Sequence, residues 1–361
     1  MTRILYSLSG EGFGHATRSH VFLKELSKKH KIKIVCGGKG YEYLSNHFKD
    51  IEKIRSLRII YKKNKVASIS TLFNNIPRYL NYFTYRKIKR LIDEFKPDVI
   101  INDFENFTSW VGRYYNIPII SIGNHHVISN AKHKFSFKFI INYIQSRGAI
   151  DLITPHADYF FVTSFFKPTL KKKYKNKTTY IPIVVRDEIK KLKPANKGYV
   201  LVYQTSDSNS ELLRVLKTIK QKFVIYGFNV NKIDENLEFK SFNEKQVYKD
   251  LANCKAVITN GGFSLMSEAL YLKKPIFSEP VKHQFEQILN AIYLERKGYG
   301  MFVEKTSKKN LEKFLSSLDK YKNNLKKLDN KRIDKEFSDS IKHLNRKIEE
   351  LKIIKLKKWK R

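Results

Sequence analysis

Residues 7–19, SLSGEGFGHATRS, place Gly10, Gly12 and Gly14 directly before His15. Glycines so spaced let a backbone turn approach a ligand closely, and a helix that follows them directs its free amides toward an anion. The pattern is not the GxGxxG dinucleotide fingerprint, because its third glycine comes one residue early. An imidazole beside such a turn can serve as a general base near neutral pH. Taken alone, His15 is equally a helix-capping or surface histidine.

A second constellation spans Ile258 to Ala291, ITNGGFSLMSEALYLKKPIFSEPVKHQFEQILNA. It reads as strand, glycine pair, helix carrying Glu268, strand, polar loop and Asn290. Such a loop and helix can hold a nucleotide. The amides of Gly261 and Gly262 and the helix N-terminus suit a diphosphate, a carboxylate at Glu268 suits ribose hydroxyls, and the Glu286-Gln287 pair suits sugar hydroxyls. Glu268 alone would be an ordinary helix residue; the ordered set gives it meaning.

The elements that must position these residues follow from periodicity. Short apolar runs alternate with helix-length amphipathic stretches, the signature of a doubly wound parallel α/β sheet. Arg3–Leu8 and Lys31–Cys36 read as strands around a helix running to about Lys29. Pro97–Asn102, Ile117–Ile122 and Asp158–Thr163 read as further strands, with a helix over Glu105–Tyr115. The alternation stops at the charged segment Arg186–Gly198 and restarts at Tyr199. This predicts two Rossmann-like domains, residues 1–185 and 199–335, joined by a linker at 186–198 and followed by a basic amphipathic helix over 336–361. On that helix Ile333, Phe337, Ile341, Leu344, Ile348 and Leu351 form one apolar stripe that can pack on a domain. Its end, Lys352–Arg361, holds six Lys or Arg and no acid, and can instead lie on an anionic surface.

At 361 residues the chain exceeds one hydrophobic core, and its 42% hydrophobic content excludes intrinsic disorder. Cys36 and Cys254 stand far apart and outside any ligand cluster, so neither a disulfide scaffold nor structural zinc is expected. The apolar start of the chain, about five residues, is too short for a secretion signal, and a cytoplasmic setting is expected. Seventy-one Lys+Arg against 34 Asp+Glu give a net charge of +37. Lys53–Ile92 contains eleven Lys or Arg and no acid, and Asn106–Ile150 also lacks acids. A field of that sign attracts nucleic acid or an anionic membrane, unless codon usage alone has loaded a solvated surface with lysine.

With both constellations in view, the chain resembles the GT-B glycosyltransferases, in particular the peptidoglycan lipid-intermediate N-acetylglucosaminyltransferase (family 28) and the UDP-glucuronosyl/glucosyltransferases. Its overall pattern is most similar to uncharacterised archaeal members. The resemblance implies that Gly12, Gly14 and His15 form the family's Gly-His turn, and that Asp103 in IINDFENF orients the histidine. It implies that Glu268 holds the ribose, Glu286-Gln287 the donor sugar, and Phe242 the base, whose uracil edge the backbone at Asn243 reads. Two departures stand out. Asn260 replaces a phosphate-binding histidine of plant-type members, and the loop Gln204-Thr205-Ser206-Asp207 lacks a common glycine pair, which leaves Thr205 and Ser206 as weaker donor contacts.

The resemblance implies inverting transfer from a UDP-sugar to an acceptor hydroxyl, with the acceptor in the first domain and the donor in the second. No cofactor is expected beyond the UDP-sugar substrate. No DxD pair occurs in the chain, so no metal is expected, and amides near Gly262 and Ser264 would meet the leaving diphosphate. Basic stretches interleaved with Phe135, Phe137, Phe139, Ile140 and Ile141 suggest peripheral binding at the inner membrane face and a lipid-linked or glycolipid acceptor, unless these aromatics form a core strand. The rival expectations are a UDP-N-acetylglucosamine 2-epimerase of the same fold and a basic nucleic-acid-binding protein. No specific nucleic acid is expected, since the usual recognition motifs are missing.

Overall fold

The computed structural model describes residues 1–57, 61–62, 65–66, 74–78, 81–204 and 209–359. The chain divides into two compact units: Met1–Ile60 with Ser68–Val184 and Lys331–Arg361, and Tyr61–Ala67 with Val185–Asn330.

In the first unit, β1 (Arg3–Leu8), α1 (Phe13–Leu26), β2 (Lys31–Cys36), α2 (Gly38–Leu44) and β3 (Ile51–Lys53) follow one another. A short hairpin, β4 (Tyr61–Lys62) and β5 (Lys65–Val66), and a helical turn over 74–78 (α3) precede α4 (Tyr82–Phe95). Then come β6 (Val99–Asp103), α5 (Asn106–Tyr114), β7 (Ile119–Ile122), α6 (His126–Asn130), α7 (Ile140–Ile153), β8 (Tyr159–Thr163) and β9 (Thr178–Ile181). The sheet order is β3-β2-β1-β6-β7-β8-β9, every pair parallel. β1 and β6 are covered on both faces, which is why they read as continuous apolar runs rather than alternating ones.

The second unit repeats the plan. α8 (Asp187–Lys190) is followed by β10 (Val200–Tyr203), α9 (Ser210–Lys217), β11 (Phe223–Tyr226), the hairpin β12 (Lys232–Asp234) and β13 (Leu237–Phe239), and α10 (Glu244–Asn253). β14 (Ala256–Thr259), α11 (Phe263–Tyr271), β15 (Ile276–Ser278), α12 (Phe285–Arg296), β16 (Gly300–Phe302), α13 (Lys308–Ser316) and α14 (Leu318–Lys326) complete it. The order is β12-β13-β11-β10-β14-β15-β16, parallel except for β12 against β13.

Each sheet therefore reverses its strand order once, between β1 and β6 and between β10 and β14. Open α/β sheets hold ligands in the crevice at such a switch point, beyond the carboxyl ends of the strands. Both constellations found in the sequence lie at these two places.

Two boundaries differ from the sequence reading. Arg186–Gly198 is not a free tether: α8 lies within it, and Ala195 and Lys197 donate backbone bonds to Ala252 and Asn253 at 2.9 and 2.8 Å. The final helix, α15 (Asn330–Trp359), begins before residue 336 and joins the first unit rather than standing apart. Its Phe337, Ile341, Leu344, Ile348 and Leu351 complete the core that Tyr6, Phe22, Leu23 and Leu26 begin. Each such side chain contributes about 1.5–3 kcal/mol on burial. No helix among the described residues is long and apolar enough to cross a membrane.

Candidate active site

The first switch point is built by the loop after β1 and the end of β6. Gly12 caps α1 at φ 72°, a left-handed conformation that a side chain would strain, and no side chain caps the helix start. His15 sits one turn in, its Nδ1 2.8 Å from Asp103 Oδ1. Asp103, the last residue of β6, is fully buried, while the His15 side chain keeps 23% of its surface exposed. The Gly-His turn and Asp103 thus lie together at this switch point.

Sequence reading missed what else is there. Arg18, three residues after His15 and therefore on the same helix face, reaches Asp103 with Nη2 at 2.7 and 2.8 Å and Nε at 3.2 Å. Ser19 donates to the same carboxylate at 3.3 Å. Burial pushes the Asp103 carboxyl up, but Arg18 and then His15 outweigh it, and the group is held below the usual carboxylate range. Phe104, the next residue, takes φ 61° and meets two imidazoles, parallel to the ring of His15 at 6.1 Å and tilted against that of His125 at 4.7 Å. A bulky residue at such a φ costs about 1–3 kcal/mol and marks a position that its surroundings enforce. Nothing in the residue types announces Phe104 or His125.

The second switch point carries the other constellation. Gly261, at φ 89°, follows Asn260, and Gly262 caps α11 without a side-chain bond, with Ser264 in the first turn of that helix. A Cβ on Gly261 would lie 3.0 Å from both Gln287 O and Ser278 Oγ. Asn290 donates to Gly261 O at 3.2 Å, which ties the glycine turn to α12, the helix bearing Glu286 and Gln287 in its first turn. Gln287 is buried, and its Oε1 accepts from Val281 N at 2.9 Å. Asn260 is buried too, donating to Gln204 Oε1 at 3.0 Å and Glu279 O at 3.2 Å. Its amide nitrogen thus ties the end of β14 to the ends of β10 and β15.

Glu268 is buried and meets Arg186, whose Nε and Nη2 lie 2.7 and 2.6 Å from its Oε1. Arg186 also bonds Glu244 at 2.8 Å and Tyr248, and its guanidinium lies over the Tyr248 ring. Burial raises the Glu268 carboxyl, Arg186 lowers it in part, and Glu244 and Glu188 add to the rise, so the group stays above its ordinary range. This network brings the start of α10 to Glu268. Asn243 caps α10 by accepting from Gln246 N at 3.0 Å, and Phe242 beside it is 46% exposed. Thr205 and Ser206 lie outside the described residues.

A family model described as glycosyl transferase family 1 matches residues 2–319. The chain belongs to this family. Uncharacterized glycosyltransferases of Methanosarcina acetivorans and Methanosarcina mazei resemble this one at 23% identity over 328 residues and 24% over 326, each covering 82% of this chain and 84% of its own length. Among solved structures, the glycosyltransferase of kitacinnamycin superposes with a TM-score of 0.66 at 14% identity, covering 95% of this chain and 98% of its own. Phytolacca americana UGT2, complexed with UDP-2-fluoro-glucose and pterostilbene, gives 0.65 at 12% identity over 97% and 100%. The glycosyltransferase therefore has the GT-B fold of two Rossmann-like units, here with a helical C-terminal end.

Proposed function

We propose that this glycosyltransferase moves a sugar from a UDP-sugar to an acceptor hydroxyl with inversion and without a bound metal. The observation that carries the reading is the 2.8 Å contact between His15 Nδ1 and buried Asp103, which fixes the ring and leaves Nε2 as the base. Nε2 takes the hydroxyl proton, the oxygen attacks the anomeric carbon opposite the diphosphate, and UDP departs. Asp103 stabilises the imidazolium, as the carboxylate does in a hydrolase triad. In the second unit Glu268 accepts from ribose hydroxyls, Phe242 stacks on the base, Glu286 and Gln287 face the sugar, and the α11 amides meet the diphosphate.

The acceptor is lipid-linked or a glycolipid, reached from an anionic membrane surface. The support is α7, which is a helix and not a core strand. Its face exposes Ile141, Ile144 and Leu152, with Phe137 before it 84% exposed, beside exposed Lys132, Lys134 and Lys138. Phe139, expected on this surface, is buried instead, and Phe135 and Ile140 are half-buried.

The test is UDP release from a panel of UDP-sugars, with and without membrane lipid extract of the source cells. Extract-dependent release that disappears in both His15→Ala and Glu268→Ala is expected. Conversion of the donor without any acceptor would favour the epimerase reading. Co-sedimentation with phosphatidylglycerol vesicles checks the membrane arm, and no binding at low salt would remove it.

A further inference from the structure

The His15–Asp103 pair differs from a simple imidazole–carboxylate dyad in having a third member. Arg18 is 6% exposed and spends three short contacts on Asp103, and its Nη2 also lies 3.1 Å from His15 Nδ1. Nδ1 therefore faces an acceptor at 2.8 Å and a cationic donor at 3.1 Å. With a proton on Nδ1 the ring donates to Asp103 and keeps its lone pair on Nε2. When both nitrogens carry protons, the imidazolium meets a guanidinium at hydrogen-bond range.

We infer that Arg18 is a positioning residue that neutralises Asp103, so that the buried carboxylate orients His15 without locking it as an imidazolium. The inference rests on the reading of His15 as the base and adds the residue that balances the charge of the carboxylate beside it. A buried carboxylate with no other counter-charge would favour the protonated ring strongly; one already held by a fork of guanidinium N–H groups favours it far less.

The other groups facing the pair do not supply this counter-charge. On β1, Tyr6 bonds Ser19 and is kept neutral by burial. At the start of α6, burial holds His125 well below the imidazole range, and His126, bonded to Ser121, is pushed down to about 3. Arg147, on α7, acts on His126. Glu105 spends its oxygens on Phe107 N, Thr108 N and the Thr108 hydroxyl. Glu11 stands in the loop before α1. Among the described residues, Arg18 is the cation that touches both members of the pair.

The experiment is an NMR titration of the His15 ring in the full chain, assigned by its loss in His15→Ala, in wild type, Arg18→Met, Arg18→Lys and Asp103→Asn. Arg18→Met should raise the His15 midpoint by about one pH unit or more, and Asp103→Asn should lower it. Arg18→Lys, which keeps the charge, should stay nearer wild type. The acid limb of UDP release from UDP-glucose to water should move with the midpoint. If Arg18→Met unfolds the chain, the double variant Arg18→Met/Asp103→Asn removes both charges and should titrate above Asp103→Asn alone. An unchanged midpoint in folded Arg18→Met, or equal midpoints in the double variant and Asp103→Asn, overturns the inference. Failure of the underlying reading looks different: His15→Ala would keep UDP release while the Arg18 effect on the midpoint persisted.

Discussion

Asp103 and Glu268 are both buried carboxylates at a switch point, and both are paired with an arginine, yet their protons are held in opposite senses. Asp103 takes three contacts from Arg18, with His15 and Ser19 added, and is held down. Glu268 shares Arg186 with Glu244 and Tyr248, feels the further charge of Glu188, and is held up. The lesson is that burial and an arginine do not settle a carboxylate's charge; the other groups around it weigh as well, His15 lowering Asp103 and Glu244 and Glu188 raising Glu268. On the proposed reading, the Asp103 pair suits a charge that must persist through a proton transfer. The divided pair suits a carboxylate that must exchange a protein partner for ligand hydroxyls.

The sharpest test of this contrast is kinetic. His15→Ala should cost about 10²–10⁴ in kcat, with UDP affinity by calorimetry unchanged. A loss in affinity instead would mean that the two clusters do not divide chemistry from binding. Stability comes next. Asp103→Asn strands buried Arg18 without its carboxylate and should cost about 3–5 kcal/mol at pH 7. Because the folded Asp103 pKa is depressed, its contribution is present above the unfolded value and lost as pH falls through the folded one. The penalty measured by urea unfolding should therefore shrink at acid pH.

How much of this was open to reading in the sequence depended on the length over which a signal repeats. β1 and β14 are largely buried apolar runs that lead into glycine turns, and His15 and Glu268 carry their meaning in the residues around them. β3, β12, β13 and β16 have three residues each, too few to show a period. Arg18 and Arg186 stood in plain view as basic residues in a chain full of them. Only the folding of β6 beside β1 brings Asp103 under Arg18, and only the return of the Arg186 segment onto α10 and α11 sets it against Glu268. Asn260 could be read as a departure from a phosphate-binding histidine, but the bonds of its amide to Gln204 and Glu279 could not be read before the strands were placed.

The divided pair predicts a different pattern for Glu268→Gln. A folded pKa above the unfolded value gives stability below the unfolded value that is lost as pH rises through the folded one, so the ionised Glu268 is a cost near neutrality. With Glu244 still on Arg186, the substitution should change stability by about 1 kcal/mol or less at pH 7. UDP affinity should fall roughly ten- to hundredfold, the worth of a hydrogen bond to a charged group. In the wild type, UDP affinity should also weaken as pH drops through the raised Glu268 range. An Asp103-like stability loss in Glu268→Gln would show that the two pairs are equivalent after all.

The smallest expected effect lies at the edge of the second site. Phe242 is 46% exposed and stands one residue before the Asn243 cap of α10, whose neighbour Glu244 shares Arg186 with Glu268. If its ring stacks on the base, Phe242→Ala should weaken UDP binding by about 1 kcal/mol, roughly fivefold in Kd, without moving the urea midpoint. Phe242→Tyr should restore binding, because the stack needs a ring face and not a particular edge. Equal loss in both variants would place the base elsewhere, and with it the assumption that the α10 start and Glu268 serve one nucleotide.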